Sequence, residues 1–196
     1  MTKIETHLYR AAALFTDPKD VRPALHYIRV ENHPQQGVIL VATNGHALIA
    51  LHDPLAAPVA HPLLIPANLK PAASSYGIEV HPDGSTNAVG GPTFAPVDEP
   101  GFPERWRDVV RVPASRELLP HAVGVDPKYL ELIGKAARVL GAKGIACCTP
   151  PTERSIITYK ITEYATAVVM PYAPGRTTDA GAAVWDAMPA VWDAMP

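Results

Sequence analysis

The sequence lacks several features that would place it in a common class of protein. Its two cysteines, Cys147 and Cys148, are adjacent, and neighbouring cysteines rarely form a disulfide because the geometry is strained. It has no run of 18 apolar residues, and residues 1–5 lack the apolar stretch of a signal peptide. The formal net charge of -2 gives no overall basic field to hold nucleic acid. These absences predict a soluble, cytoplasmic protein without a disulfide framework.

Signatures of catalysis and of metal binding are missing as well. We find no Gly-x-Ser-x-Gly sequence and no Walker-type or dinucleotide-binding glycine motif. The eight histidines form no His-x-x-x-His or His-Glu-x-x-His pair, and no carboxylate cluster accompanies them. His46 and His52 share a predicted strand at even spacing, and their simpler interpretation is as surface or rim histidines. We therefore expect no enzymatic activity, no bound metal and no cofactor.

Proline and apolar residues are abundant instead. The chain has 22 prolines among 196 residues, and proline removes a backbone donor and clashes with the preceding helical turn. Long uninterrupted helices are therefore disfavoured. Hydrophobic residues at 47% and charged residues at 18% are ordinary for a globular protein whose length allows a sizeable core.

The hydrophobic pattern predicts an α+β fold with few helices. Helical spacing of apolar residues predicts one helix over residues 5–15, and a second begins at Asp126-Pro127, an N-cap followed by proline at the first helical position. Residues 64–70 predict the start of a further short helix, truncated by Pro71. Predicted strands cover residues 24–30, 38–43, 46–52, 76–80, 123–125, 144–149, 155–162 and 165–170.

Two details of this pattern concern side chains. Asn44-Gly45 joins two predicted strands and is typical of a two-residue type I′ turn, in which both residues have positive φ. Cys147 and Cys148 fall in a predicted strand beside apolar residues, where cysteine acts as a small core residue. The helix that starts at residue 126 is expected to bury Tyr129, Leu130, Ile133, Ala137 and Leu140.

Three short motifs are more informative than the composition. They are Ala42-Thr43-Asn44-Gly45-His46, Phe102-Pro103 and Val168-Val169-Met170-Pro171. In type and order they resemble the bacterial sliding clamp, the β subunit of DNA polymerase III, and the chain looks like a shortened clamp-like protein. The resemblance implies the sliding-clamp fold, whose domains consist of two pseudo-symmetric β-α-β-β-β halves.

The resemblance also implies a domain organisation of about one and a half clamp domains. Residues 1–113 look like the middle clamp domain, residues 114–174 like the C-terminal half of the last domain, and residues 175–196 like a flexible tail. Since six domains close a clamp ring, four such chains would be needed. The unpaired half-domain is expected to expose a sheet edge and an apolar helix face, which should drive homo-oligomerisation.

In sliding clamps, the three motifs converge on a cleft that binds peptides of DNA polymerases and repair proteins. The implied lining here is Thr43, Gly45, His46, Leu48, Pro103, Val109, Val168, Met170 and Pro171, with Ile156 or Ile157 beneath. An apolar floor suits leucine- or phenylalanine-type anchors, methionine adapts to varied shapes, and Thr and His at the rim supply hydrogen bonds. The family usually has arginine where this chain has Ala47, which alters the rim.

Sliding clamps touch DNA through helices that line the ring. The candidates here are Arg10, Lys70, Lys128, Lys135, Arg138 and Lys143. Lys128 and Lys135 are seven residues apart, on one helix face. The simpler interpretation is a solvated face opposite the core stripe. Any binding to double-stranded DNA is expected to be weak, directed at the backbone and strongly salt-dependent.

The last residues form a perfect tandem repeat, Ala-Val-Trp-Asp-Ala-Met-Pro at residues 183–189 and again at 190–196. Two copies are too few for a solenoid. One interpretation is a duplication in a tolerant terminus. The other is a tethered apolar peptide that docks in the cleft of this chain or of a neighbour, with tryptophan and methionine as anchors.

Two functions from different classes follow. The first is a sliding-clamp-like protein that presents its cleft to replication or repair proteins and acts on DNA as an oligomeric processivity factor. The second is an interaction protein that keeps the cleft without forming a ring and competes for, or modulates, clamp-binding partners.

Overall fold

The computed structural model describes residues 1–71, 76–97, 101–103, 106–110, 125–148 and 156–171. The strands in these ranges are β1 (Thr2–Glu5), β2 (Tyr27–Asn32), β3 (Val38–Thr43), β4 (Ala47–Asp53), β5 (Leu63–Pro66), β6 (Tyr76–Val80), β7 (Thr86–Ala88), β8 (Thr93–Phe94), β9 (Ala146–Cys148), β10 (Ile157–Thr162) and β11 (Ala165–Val169). The α-helices are α1 (Thr6–Ala13), α2 (Trp106–Val110) and α3 (Pro127–Val139), and Pro23–His26 forms a short 3-10 helix. Within the described ranges, no helix has the length and apolar character needed to cross a membrane.

The described strands form two separate antiparallel sheets. One sheet has the order β1-β6-β7-β8, and the other has the order β5-β2-β3-β4-β11-β10-β9. We call β1 to β8 with α1 the first unit, and α3 with β9 to β11 the second unit. The first unit has two halves, β1 to β4 with α1 and then β5 to β8. Strand β1 pairs with β6 and β5 pairs with β2, so the first strand of each half belongs to the sheet of the other half.

Helix α1 covers the sheet of the first unit. It packs against β3 and β4 and lies beside α3. Its Leu8 and Ala12, together with Phe15 just after the helix, are buried in the main core, as their helical spacing predicts. The helix thus joins the cores of the two units.

The predicted helix start at residues 64–70 is wrong. Leu63–Pro66 is the strand β5, in register with β2 through pairs such as Ile28 with Ile65. The strand is buried along its whole length, and this tertiary pairing overrides the local pattern. The chain after β5 is then held by Tyr9, whose hydroxyl donates to the carbonyl of Pro66 at 2.7 Å and accepts the amide of Leu69 at 2.9 Å.

The second unit extends the larger sheet. Strand β11 pairs with β4, placing Leu48 opposite Val168, so the sheet is continuous between the units. Helix α3 starts as predicted, with the side chain of Asp126 accepting the backbone amide of Lys128. Its predicted apolar face is buried at Tyr129, Ile133, Ala137 and Leu140.

Two expectations about side chains in the second unit are wrong. Leu130 remains 46% exposed, because it lies on a flank of α3 that no described element covers. Cys147 is exposed rather than part of the core, because β9 is the edge strand of its sheet. The side chain of Cys148 lies outside the described part of the chain.

Several predictions fall on segments that the structure does not describe. They concern the boundaries at residues 113 and 174, most of the predicted strand at 123–125, and the tail at 175–196 with its tandem repeat. The division into domains therefore stays a prediction.

Candidate functional site

A cleft of about 310 Å³ opens where the first unit meets the second. Its walls come from the loop between β3 and β4, the end of β11, the segment before β10, the 3-10 helix region, and the Phe-Pro segment with α2. The lining residues are Arg22, Leu25, Thr43, Gly45, His46, Ala47, Leu48, Pro103, Trp106, Val109, Ile156, Val168 and Met170. Most of these side chains are apolar, so the cleft suits an apolar ligand with a few polar contacts.

The structure brings together nine of the ten cleft residues that the sequence motifs suggest. These nine are Thr43, Gly45, His46, Leu48, Pro103, Val109, Ile156, Val168 and Met170. Pro171 follows Met170 directly and is partly buried, but it does not line the cleft. Ile157 is buried in the main core rather than at the cleft.

The floor of the cleft is a rigid part of the protein interior. Leu48 and Val168 face each other across β4 and β11 and belong to a small second core that also contains Phe102 and Trp106. Val168 is only 2% exposed, whereas Met170 at the rim is 55% exposed. A fixed apolar floor therefore lies beside one long, adaptable side chain.

The loop between β3 and β4 differs from the predicted two-residue turn. Its last strand pair is Thr43 with Leu48, so four residues form the connection. Gly45 has φ +85°, but Asn44 has no positive φ, which rules out a type I′ turn. The reason is the side chain of Asn44, whose Oδ1 accepts the backbone amides of His46 at 3.0 Å and Ala47 at 2.9 Å.

Thr43 fixes the same loop from its other side. Its buried hydroxyl donates to the carbonyl of Ala47 at 2.9 Å and accepts the amide of Gly45 at 3.0 Å. The only hydroxyl proton is thus used within the loop. Thr43 therefore shapes the rim, contrary to the expectation that it donates a hydrogen bond to a ligand.

Arg22 places a positive charge at the rim, and the sequence motifs do not suggest it. Its Nε lies 2.8 Å from Oδ1 of Asp20, and this pair holds the pKa of Asp20 well below its usual range. A Cβ built on Gly45 would lie 2.5 Å from Nη2 of Arg22, so the guanidinium rests on the bare backbone of that glycine. An acidic group entering the cleft would meet a guanidinium whose charge Asp20 already offsets.

Trp106 and Leu25 are further lining residues that sequence reasoning missed. Leu25 lies in the 3-10 helix, where the sequence predicted a strand. Trp106 begins α2, three residues after Pro103. Its position close to the Phe-Pro motif was the feature of the sequence that could have identified it as a cleft residue. The indole Nε1 of Trp106 is buried and has no hydrogen-bond acceptor among the described residues, which leaves an unused donor beside the cleft.

His46 connects the cleft to the start of α3. Its ring stacks on Tyr129 with centroids 5.9 Å apart, and Nζ of Lys128 lies 4.7 Å from the centre of the same tyrosine ring. Asp126 completes the cluster with an ion pair to Lys128 at 3.0 Å. The hydrogen bond from the backbone amide of Lys128 is the main reason that the pKa of Asp126 lies below its usual value. The loop and the second unit thus share one polar contact network.

The six basic residues considered for DNA contact are all exposed, on α1, on α3, in the turn after α3 and, for Lys70, in the segment after β5. Lys128 is paired with Asp126, and Lys135 lies 2.8 Å from Glu131. Nη2 of Arg10 donates to the carbonyl of Pro71 at 3.0 Å. The remaining three are Lys70, Arg138 and Lys143. The structure therefore places Lys128, Lys135 and Arg138 on one helix but offsets two of their charges.

Among the described residues, no group of three or more His, Cys, Asp or Glu side chains has an arrangement suited to a metal ion. His33 and His52 do stack, with ring centroids 4.0 Å apart, at the end of the sheet away from the loop that carries His46. The Nε2 atom of His52 lies 2.8 Å from the carbonyl oxygen of Gln36. Parallel stacked rings direct their nitrogen lone pairs side by side rather than toward one point.

Comparisons with known proteins bear on the fold. No protein-family model matches the chain, and no curated protein matches it in sequence. The Caulobacter crescentus polymerase III β structure matches 88% of this chain with a TM-score of 0.60 and 13% identity. The DNA polymerase III β subunit of Pseudomonas aeruginosa matches 88% with a TM-score of 0.57 and 16% identity.

A third structure, the DNA polymerase III β subunit of Thermotoga maritima, matches 92% of this chain with a TM-score of 0.56 and 11% identity. The fold is that of a bacterial sliding clamp. The sequence-based prediction of a sliding-clamp fold is therefore confirmed. The chain spans 66% of the length of each of these three clamp structures. At such low identities, the likeness concerns the sliding-clamp fold alone.

Proposed function

We propose that this chain is a sliding-clamp-like binding protein whose cleft holds short apolar segments of DNA polymerases or repair proteins. The observation that carries the proposal is the convergence, on a sliding-clamp fold, of three sequence motifs from distant parts of the chain onto one apolar cleft. The proposed activity is binding, without a catalytic step.

The chemistry of the cleft favours a peptide with one or two large apolar anchors. Leu48, Val168 and Trp106 give a dry floor, on which burial of a leucine or phenylalanine side chain contributes about 1.5–3 kcal/mol. Met170 is exposed and flexible, so it can close over anchors of different shape. Arg22 adds only a weak preference for an acidic group beside the anchors, because its guanidinium lies at the rim and is already paired with Asp20.

A second candidate function is an interaction protein that uses the same cleft without forming a ring on DNA. The charges on α3 favour it, since Lys128 and Lys135 are paired with Asp126 and Glu131 and the net charge is -2. DNA association that falls steeply with salt, together with a ring-sized oligomer, would favour the clamp-like function. Peptide binding without either would favour the second.

Fluorescence anisotropy with a labelled peptide that carries leucine and phenylalanine anchors tests the proposal. We expect saturable binding to the full chain and a loss of at least about tenfold in the Met170→Asp variant, because a charge at the rim opposes burial of the apolar anchor. Leu55→Asp is the matched control, since Leu55 is 70% exposed and lies outside the cleft.

The result that contradicts the proposal is an absence of saturable binding both to the full chain and to the chain without residues 175–196, or an equal loss in the Leu55→Asp control. Repeating the titration with residues 175–196 removed separates a third outcome. If the tandem repeat occupies the cleft, the shortened chain binds the peptide more tightly than the full chain does.

A further inference from the structure

Glu31 is a buried carboxylate on the face of β2 that is turned toward α2. Ile28 and Val30 of the same strand belong to the main core, so Arg29 and Glu31, which alternate with them, project from the opposite face. Glu31 is only 3% exposed. A charge with so little access to water is strongly unfavourable unless cations and hydrogen-bond donors surround it. Its partners are therefore essential to this part of the fold.

Two arginines pair with this carboxylate, one from the same strand and one from α2. Nε of Arg29 donates to Oε2 of Glu31 at 2.9 Å, and Nη2 of Arg107 donates to Oε1. The first pair is local, because the two residues are neighbours on one face of β2. The second joins positions that are 76 residues apart in the sequence, so it ties α2 to the sheet.

Each of the two arginines also packs on an aromatic ring. The guanidinium carbon of Arg29 lies 5.7 Å from the centre of the Phe102 ring, and that of Arg107 lies 4.7 Å from the centre of the Trp106 ring. Both rings are buried and belong to the small second core beneath the cleft. The two cations thus connect the buried carboxylate to the residues that support the cleft.

Helix α2 depends on such contacts for its position. It has only five residues, and an isolated helix of that length is not stable in water. The helix packs against β11, and Arg107 ties it to β2, so contacts with two different strands fix its place over the sheet. Trp106 and Val109 of the same helix line the cleft. A shift of α2 would therefore move one wall of the cleft.

We propose that Glu31, acting through Arg107, is a positioning residue that fixes α2 as a wall of the cleft. The inference rests on the proposed peptide-binding function and adds a determinant of affinity from outside the cleft, since Glu31 and Arg107 are not among the described residues that line it. A charge-assisted hydrogen bond suits this role, because it is directional and holds the helix in one place, whereas apolar packing alone allows it to slide.

The ion pair can be broken without opening the core. The side chain of Arg107 is 51% exposed, and its removal leaves the carboxylate paired with Arg29. Arg107→Met removes the cation but keeps an unbranched chain to cover the ring of Trp106. Arg107→Lys keeps a cation for the carboxylate. The matched control is Lys3→Met, because Lys3 is 52% exposed and pairs with Glu79 in the other sheet.

Fluorescence of Trp106 in the full chain tests the positioning without any ligand. The three tryptophans are Trp106, Trp185 and Trp192, so replacing the last two by phenylalanine leaves Trp106 as the single emitter. In that background, we expect acrylamide to quench Trp106 about twofold more strongly in Arg107→Met, because a loosened helix lets solvent reach the ring more often. Arg107→Lys and Lys3→Met should be quenched as the background chain is.

Titration with the labelled peptide gives the second readout. We expect the dissociation constant to rise about fivefold in Arg107→Met, to stay within about twofold in Arg107→Lys, and to be unchanged in Lys3→Met. Glu31→Gln tests whether the carboxylate acts through Arg107. If it does, the combined Glu31→Gln and Arg107→Met variant binds the peptide no more weakly than the weaker of the two single variants.

Several results would overturn the proposal. They are equal quenching of Trp106 with and without Arg107→Met, an equal rise in Lys3→Met, and additive losses of affinity in the combined variant. Unchanged peptide affinity in Arg107→Met overturns it as well, while leaving the proposed function intact. If the chain binds no peptide, even without residues 175–196, the proposed function fails and the role in affinity fails with it. The quenching then still decides whether the ion pair holds α2.

Discussion

The hydroxyl of Thr43 donates a hydrogen bond to the carbonyl oxygen of Ala47 at 2.9 Å and thereby closes the loop that forms one rim of the cleft. The same oxygen accepts the amide of Gly45 at 3.0 Å. The hydroxyl of Thr43 is buried and holds both backbone groups in place, and the amide of Asn44 also donates to the carbonyl of Ala47 at 3.2 Å. Thr43 therefore preorganises the rim, and its hydroxyl proton is not available to a ligand.

Replacing Thr43 by valine keeps the shape of the side chain and removes both hydrogen bonds. We expect the free energy of unfolding to fall by about 1–3 kcal/mol, because the amide of Gly45 loses its partner and the carbonyl of Ala47 keeps one donor, the amide of Asn44 at 3.2 Å. Urea denaturation measures this. The matched control is Thr158→Val, since the buried hydroxyl of Thr158 has no hydrogen-bond partner in the described part of the chain and its loss should be neutral or slightly stabilising. An equal change in the free energy of unfolding at the two positions would show that the hydrogen bonds of Thr43 do not stabilise the protein.

The next prediction concerns the left-handed backbone of Gly45. A side chain at φ +85° is strained, and a Cβ there would press on the guanidinium of Arg22. We expect Gly45→Ala to reduce the free energy of unfolding by about 1–2 kcal/mol, and to weaken peptide binding as Arg22 is displaced. Gly144→Ala is the control, because Gly144 has open space around it and no positive φ. Unchanged stability in Gly45→Ala would mean that the loop relaxes without cost.

Stability should depend on acid pH through Asp126, which caps α3 beside the cleft. Its folded pKa is lowered, mainly by the backbone amide of Lys128 and then by the lysine side chain. A lowered folded pKa stabilises the protein above the unfolded value, about pH 4, and this contribution is lost as pH falls through the folded pKa.

We therefore expect Asp126→Ala to lower the urea midpoint at pH 7 and to have a smaller effect at pH 3, which lies below the unfolded pKa, so that part of this stabilising contribution is already lost. Asp126→Asn keeps an oxygen acceptor for the cap but has no charge to titrate. Its difference from the wild type should shrink over the same pH range. A difference from either variant that stays constant between pH 7 and pH 3 would contradict this account.

The suggested cleft residues that the structure brings together lie in continuous motifs. The loop around His46 and the strand end at Met170 meet because β4 pairs with β11, whereas the clamp resemblance implied only that these segments converge. Arg22 and Leu25 were missed, since the 3-10 helix that carries Leu25 has no periodic signal and reaches the cleft only through tertiary contacts. The local sequence pattern thus identified the motifs, but not the lining residues Arg22 and Leu25 that other segments contribute to the cleft.

The errors share a physical cause. Leu63–Pro66 became a strand because β2 offered it a partner, and Cys147 became exposed because β9 has none on its outer side among the described residues. Leu130 fits the helical apolar stripe, yet no described element covers that flank. In each case, the neighbouring strands and helices determine the secondary structure or the exposure of the residue. A short stretch of sequence does not show which elements pack beside it.

The last prediction concerns the unused indole donor of Trp106. Its Nε1 is buried without a hydrogen-bond acceptor among the described residues, and an unsatisfied buried donor lowers the free energy of unfolding of the free protein. Trp106→Phe removes the donor while keeping an aromatic ring in the small core around Leu48 and Val168. The smaller ring leaves some space, which offsets the gain from removing the orphaned donor, so we expect the free energy of unfolding to change by no more than about 1 kcal/mol.

Peptide binding should respond differently to the same change. Trp106 lines the cleft, and a small rotation of its ring on peptide binding would let a backbone carbonyl of the peptide accept the indole N–H, which has no acceptor among the described residues. We expect Trp106→Phe to weaken the binding of the labelled peptide several-fold, at nearly unchanged stability, because a hydrogen bond of about 1 kcal/mol is lost only in the complex. If affinity and stability fall together, Trp106 acts through packing, and the donor has no part in recognition.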